Sequence, residues 1–194
     1  MPDYTREKIL DAIENLMSKL GYQKTTINDI AQAAGVSRRT IYIYFPNKEK
    51  IALATVDRIV TRLLEKLEQL VNSKDDPIER LRNMLITRIM FRFDSIRNYH
   101  HSLDDLLRSI RSSYLARRQC YFEAEMQIFA RLLAEGNQNG IFNVFDTLKT
   151  SEMLITATNA LLPYNLSTQE LGTRKSVLEK ISFLSSLLIR GLLS

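Results

Sequence analysis

Apolar residues recur at spacings of three and four along nearly the whole chain, and no run alternates with the period of two that a strand needs. With only 6 Gly and 4 Pro in 194 residues there is little to interrupt helices, so the pattern predicts an all-α fold of about nine. The first is expected from 3 to 20, with Ile9, Ile13, Leu16 and Leu20 on its inner face and Gly21 at its end. A short second helix follows Thr26, whose hydroxyl caps it while Asp29 answers three residues on, and it ends before Gly35. Ser37 caps a third short helix through Tyr44, closed by Pro46; Asn47 starts a long fourth reaching 72. Asp76-Pro77-Ile78-Glu79 opens a fifth. Later helices are expected over 103–110, 113–135, 148–162 and 168–190, with breaks at Gly136, Gly140 and Pro163 and a capping box formed by Ser167 and Glu170.

The segment Ile27 to Pro46, INDIAQAAGVSRRTIYIYFP, carries more than helical periodicity. Two short helices cross closely when a small residue sits at the crossing, the turn accepts positive φ and the facing sides are apolar. Ala31 meets the first condition and Gly35 the second, while Ile30, Ala34, Val36, Ile41 and Tyr44 fall at offsets that meet the third. With those positions inward, the second helix of the pair turns Ser37, Arg38, Arg39, Thr40, Tyr42 and Ile43 outward. A helix so equipped fits the major groove: arginine bridges O6 and N7 of guanine, Ile43 suits a thymine methyl, and Tyr42 and Thr40 reach phosphate or base edges. Between Gly35 and Lys50 the basic residues Arg38, Arg39, Lys48 and Lys50 face only Glu49, so positive charge collects at this motif. Thr25 and Thr26 before the second helix, and Lys48 at the start of the fourth, would straddle the groove-bound helix and clamp phosphates. Capping for the threonines, and a solvated surface position for the lysine, are the alternatives.

The run GYQKTTINDIAQAAGVSRRTIYIYFPNKEKI resembles the DNA-binding domain of the TetR family. That family's marks are paired threonines, IA, a G-V-S turn, a T-[IL]-Y-x-Y-F helix and a proline followed by x-K-E. The likeness covers Tyr4 to about Leu53 and becomes architectural beyond it. It implies operator contacts by Thr25, Thr26, Arg38, Arg39, Thr40, Tyr42, Tyr44 and Lys48, with Tyr44 alternatively in the core. Arg39 stands where many members have a small residue, which gives this chain its own base preference. The implied organisation is a helix-turn-helix domain over 1–47 and a helical regulatory and dimerisation domain over 48–194. The implied partners are double-stranded operator DNA, a second copy of the chain and an unidentified small-molecule ligand.

In the C-terminal part, Leu81, Met84, Leu85, Ile86, Ile89, Met90, Phe91, Phe93 and Ile96 cover more than one face of the fifth helix, which predicts burial on several sides. Soft and aromatic residues suit an adaptable apolar pocket, and Leu63, Leu67, Met84, Arg88, Phe91, Tyr121, Phe122 and Met126 are its candidate lining. Ordinary core is the simpler role for each of the apolar ones. For Arg88 and Arg92, one turn apart, a solvated or salt-bridged face competes with contact to an acidic ligand. In the last two helices Leu154, Leu161, Phe183, Leu184, Leu187 and Leu188 are the candidate dimer face, because family members pair these helices about a two-fold axis.

Composition narrows the alternatives. The formal net charge of +5 permits a polyanionic partner without requiring one. One cysteine, Cys120, excludes an internal disulfide, and two histidines give no zinc-ligand cluster, so a reducing cytoplasm and no metal or cofactor are expected. The polar start and the short, broken apolar tail from Phe183 to Leu193 predict neither signal peptide nor membrane span. Adjacent His100 and His101 diverge on a helix, Asp104-Asp105 reads as an exposed helix start, and no nucleophile elbow, HExxH, P-loop or dinucleotide fingerprint occurs; no catalytic residue is expected. A DNA-binding architectural protein with a filled, ligand-free C-terminal core is the remaining alternative to a ligand-responsive repressor.

Overall fold

The computed structural model describes residues 4–96, 103–162 and 172–193. Among these are eight α-helices: α1 (Tyr4–Leu20), α2 (Ile27–Ala34), α3 (Arg38–Tyr44), α4 (Lys48–Val71), α5 (Pro77–Ile96), α6 (Leu103–Gln138), α7 (Thr147–Thr158) and α8 (Arg174–Arg190). A 3-10 turn, Asn159–Leu161, follows α7, and the one β-bridge among the described residues joins Phe142 to Leu193. The fold is all-α. The histidine pair, the Pro163 break and the Ser167–Glu170 capping box lie outside the described residues.

Two compact units divide the chain: Met1–Ile59 with Ile96–Arg117, and Val60–Ser95 with Arg118–Ser194. In the first, α1 packs on α2 and α2 on α3 through Ile9, Leu10, Ile13 and Met17 against Ile30, Ala31, Ala34 and Ile41, all buried. The inner face of α1 is thus rotated from the expected one: Leu20 is exposed and Leu16 half-buried, while Leu10 and Met17 point inward. Arg58, near the middle of α4, reaches three carboxylates one turn apart on α1, donating to Glu7 at 3.1 Å, Asp11 at 2.7 Å and Glu14 at 3.2 Å. Burial works against its charge, but these carboxylates outweigh burial and raise its pKa further.

In the second unit one apolar cluster joins Leu63, Leu67 and Val71 of α4, Leu81, Met84 and Leu85 of α5, Ile128, Phe129, Leu132 and Leu133 of α6, Leu154 and Ile155 of α7 and Ile189 of α8. Three expectations need correcting here. The helices expected over 103–110 and 113–135 are one continuous α6 of 36 residues, because Arg111, Ser112 and Ser113 include no residue that stops a helix. Gly136 is no break: it lies inside α6, where an added Cβ would run into the Phe142 ring. The helix expected over 168–190 does not run unbroken through 172 and 173: it starts at Arg174, since Gly172 is left-handed with φ 68° and Thr173 caps, accepting from the Ser176 amide at 3.2 Å, while 168–171 lie outside the described residues.

Candidate nucleic-acid interface

Helices α2 and α3 have 8 and 7 residues, too short to persist alone, so their ends must be tied locally. Thr26 and Asp29 form the full capping box: the Asp29 amide donates to Thr26 Oγ1 at 3.2 Å, and the Thr26 amide donates to Asp29 Oδ2 at 2.9 Å. The Thr26 hydroxyl donates to the same carboxylate at 2.7 Å, and these bonds lower the Asp29 pKa. At the other end Gly35 is left-handed with φ 65°, and the amides of Gly35 and Val36 return to the carbonyls of Gln32 and Ala31 at 3.2 and 3.0 Å. Ser37 then accepts from the Thr40 amide at 3.0 Å, which starts α3 two residues after the turn.

This sequence of caps sets the direction of α3 and thereby its exposed face. Ile41 is fully buried, and Arg38, Arg39, Tyr42 and Ile43 all face solvent, Ile43 with 72% of its surface exposed. So exposed an isoleucine adds little to the core of its own unit and is accessible to an apolar partner such as a thymine methyl. Ser37 is exposed and Thr40 half-buried, with their hydroxyls 2.8 Å apart; Tyr44 is half-buried between the two roles allowed for it.

Thr25 and Lys48 are placed differently from Thr26. Thr25 is buried, and its hydroxyl donates to the Gly21 carbonyl at 2.8 Å. Lys48, half-buried at the start of α4, turns its ammonium toward the segment joining α1 and α2, where it donates to the carbonyls of Tyr22 and Thr25, each at 3.0 Å. Tyr22 was not among the residues singled out from sequence. The one available signal was an aromatic following the helix-ending Gly21, three residues before the threonine pair.

Of the pocket candidates, Leu63, Leu67 and Met84 are fully buried in the apolar cluster of the second unit, and Phe91, Phe122 and Met126 pack partly against it. Tyr121 is half-buried. Arg88 is fully buried: it donates to Glu125 at 2.6 Å, to the Thr158 hydroxyl at 2.9 Å and to Asn159 at 2.7 Å. Arg92 bonds the same Glu125 carboxylate and the Arg88 carbonyl. The arginines are therefore salt-bridged, as one reading had it, but within the protein and away from solvent. Glu125 escaped the sequence reading, although a carboxylate three residues after Phe122 and four before Phe129, on the apolar side of the helix, is a signal for a buried cation opposite. Of the dimer-face candidates, Leu154 is buried within its own chain, Leu161, Leu184 and Leu188 are half-buried, and Phe183 and Leu187, one turn apart on α8, are exposed. Among the described residues there is no cluster of metal-ligating side chains, and no helix is long and apolar enough to cross a membrane.

Residues 9–55 match the family described as bacterial regulatory proteins, tetR family. An HTH-type transcriptional regulator from the lacX 3' region of Lactococcus lactis subsp. lactis is 38% identical over 82 residues, 42% of this chain and 42% of that one. The chain thus matches less than half the length of that relative. The fatty acid metabolism regulator protein of Bacillus subtilis is 29% identical over 136 residues, 69% of this chain and 68% of that one. A transcriptional regulator from Cytophaga hutchinsonii superposes with a TM-score of 0.82 at 18% identity, covering 99% of this chain and 100% of the other, which extends the shared fold through the C-terminal helices. The capped helix-turn-helix over 9–55 thus matches the tetR family of bacterial regulatory proteins, and the all-helical fold of the chain is that of a solved transcriptional regulator.

Proposed function

We propose that this protein is a dimeric, sequence-specific DNA-binding transcriptional regulator, a repressor that leaves a palindromic operator when a small molecule binds among α4 to α7. The observation that carries the DNA-binding reading is the solvent-facing set Arg38, Arg39, Tyr42 and Ile43 on a helix whose start and preceding turn are both capped. In this reading Arg38 and Arg39 contact guanine edges, Ile43 a thymine methyl, and Tyr42, Thr40, Ser37 and Thr26 the backbone or base edges. The segment 1–47 reads the operator. Phe183 and Leu187 belong to the dimer face on α8, and the two-fold axis there sets two copies of α3 one DNA turn apart.

Selection of bound fragments from genomic DNA tests this directly. A palindromic consensus is expected, and Arg38→Ala and Arg39→Ala should each reorder the preference among operator variants. A wild-type chain that prefers no fragment over random DNA would defeat sequence-specific binding. Replacing the dimer-face pair, Phe183→Glu with Leu187→Glu, should give helical monomers with weak operator affinity; dimers persisting in ultracentrifugation would move the interface elsewhere.

A second reading is favoured by a specific observation: Leu63, Leu67 and Met84 are buried in one continuous cluster, and Arg88 is held by three protein partners. Under it the C-terminal unit is a filled scaffold without an inducer. Screening apolar and amphipathic compounds for release of the selected operator decides between the two. Because one relative is named for fatty acid metabolism, fatty acids are the first compounds to try.

A further inference from the structure

Lys48 opens α4, yet its charge points into its own unit. Its ammonium donates to the Tyr22 and Thr25 carbonyls, both at 3.0 Å, and lies 4.2 Å from the centroid of the Tyr22 ring. An ammonium has three donors; two are on carbonyls here, and the ring face takes up the charge from a third side. Tyr22 is only 1% exposed, so this ring is a fixed wall. Burial lowers the Lys48 pKa, with Glu49 working in the opposite direction. To neutralise a phosphate, the ammonium would first have to leave both carbonyls and the ring.

The segment it holds has one evident task. Residues 21–26 end α1 and deliver the N-cap of α2. Within it the Thr25 amide donates to the Tyr22 carbonyl at 3.3 Å and the Thr25 hydroxyl donates to the Gly21 carbonyl. The Tyr22 carbonyl is shared between that internal bond and Lys48, so the lysine closes a loop of bonds that otherwise ends at the turn itself. Immediately after it, Thr26 in extended conformation presents the first-turn amides of α2.

We propose that Lys48 is a positioning residue for DNA binding: it staples the α1–α2 turn to the start of α4 through the Tyr22 and Thr25 carbonyls and so fixes where the N-terminus of α2 meets the DNA backbone, without itself neutralising a phosphate. The proposal rests on the DNA-binding reading above. It assigns Tyr22 the same task from the other side, as the ring and carbonyl on which the lysine sits.

Salt dependence separates a staple from a phosphate contact. Losing one neutralised phosphate reduces the steepness of log Kobs against log salt by about 0.9, whereas losing a staple lowers affinity at every salt concentration and leaves the steepness unchanged. The probes are a genomic duplex selected by the wild-type chain and a random-sequence duplex of equal length. Lys48→Gln and Tyr22→Leu should each weaken binding to both duplexes, roughly tenfold, with the wild-type salt dependence retained. In the free protein, amide hydrogen exchange over residues 25–29 should accelerate in both variants. If Tyr22→Leu fails to fold, the salt dependence and exchange of Lys48→Gln decide alone, since that side chain is only half-buried. A Lys48→Gln variant whose steepness falls by about 0.9 while its 25–29 exchange stays as in wild type would overturn the staple. Wild-type protein that binds neither duplex would remove the DNA-binding reading itself, a result no variant mimics, and would withdraw the proposal with it.

Discussion

The two compact units hold their helices by different means. In the unit that carries α1 to α3, the ends of α2 and α3 are tied by short-range bonds: the Thr26–Asp29 box, the left-handed Gly35 and the Ser37 cap. Its buried cation Arg58 is met by carboxylates of which Asp11 is mostly exposed. In the C-terminal unit the ties are long-range and central. Arg88 and Arg92 of α5 share Glu125 of α6, and Arg88 continues to Thr158 and Asn159, all far from the chain ends. A unit assembled from many exposed caps of about 1 kcal/mol each loses little stability to any one change, whereas a buried ionic centre concentrates its cost in one residue.

The sharpest way to break this comparison is to remove Glu125. Glu125→Ala leaves two buried guanidiniums without their shared carboxylate and should cost about 3–5 kcal/mol, read by urea unfolding. A loss under about 1 kcal/mol would mean that solvent reaches the site and that the two units do not differ in this way. Acid sharpens the same point. Burial disfavours the charged carboxylate, but the charges and hydrogen bonds of Arg88 and Arg92 outweigh it and hold the Glu125 pKa below its ordinary value. Its contribution is therefore complete above the ordinary carboxylate range and is lost as pH falls through the depressed value in the fold. Glu125→Gln should flatten the acid side of the stability profile, and an unchanged acid limb would remove Glu125 as its cause.

Packing gives the next largest effect. Ala normally stabilises a helix over Gly by about 1 kcal/mol, but at Gly136 the new methyl meets the buried Phe142 ring, which is held by its bridge to Leu193. Overpacking of about 1–3 kcal/mol should win, so Gly136→Ala is expected to lower stability by roughly 1–2 kcal/mol. A stabilised variant would show that the ring moves aside freely.

The same contrast explains what could be read from sequence. Caps, a left-handed glycine and the proline after α3 act within four residues, so the bounds of α2 and α3 were legible to within a residue. Long-range partners leave no such local trace. Glu125 and its arginines are separated by more than thirty residues, and Gly136 looked like a stop because nothing nearby announces the ring that needs its missing side chain. The gap expected between 110 and 113 has no such trace either: serine continues a helix at small cost, and α6 runs through Ser112 and Ser113. Lys48 was placed beside the motif correctly, but its direction depends on Tyr22, 26 residues earlier.

A smaller effect is expected at Gly35. Its φ of 65° demands the left-handed region, while an added Cβ meets nothing within 4 Å. Gly35→Ala should therefore cost about 1–2 kcal/mol through backbone strain alone, without a packing contribution. Operator binding should fall more than stability does, because strain at the turn tilts α3 before it unfolds the unit. Equal losses in both measurements would show that the turn and the unit unfold together.

The smallest expected effect concerns the threonine pair, whose members have the same side chain and opposite placements. Thr26 caps α2 from an exposed position, so Thr26→Ala should cost about 1 kcal/mol, and Thr26→Ser, which keeps the accepting hydroxyl, a few tenths at most. Thr25 is buried with its hydroxyl on Gly21; Thr25→Ser keeps that bond and loses one methyl, about 0.8 kcal/mol of burial. Thermal unfolding ranks these, and DNA binding separates them: the salt dependence of binding should be unchanged in all three, since none removes a charge. If Thr26→Ser restored stability but not affinity relative to Thr26→Ala, the methyl of Thr26 rather than its cap would be what the DNA backbone meets. Recovery of both by serine would tie binding to the cap, and so to the local bonds that distinguish this unit from the ionic centre of the other.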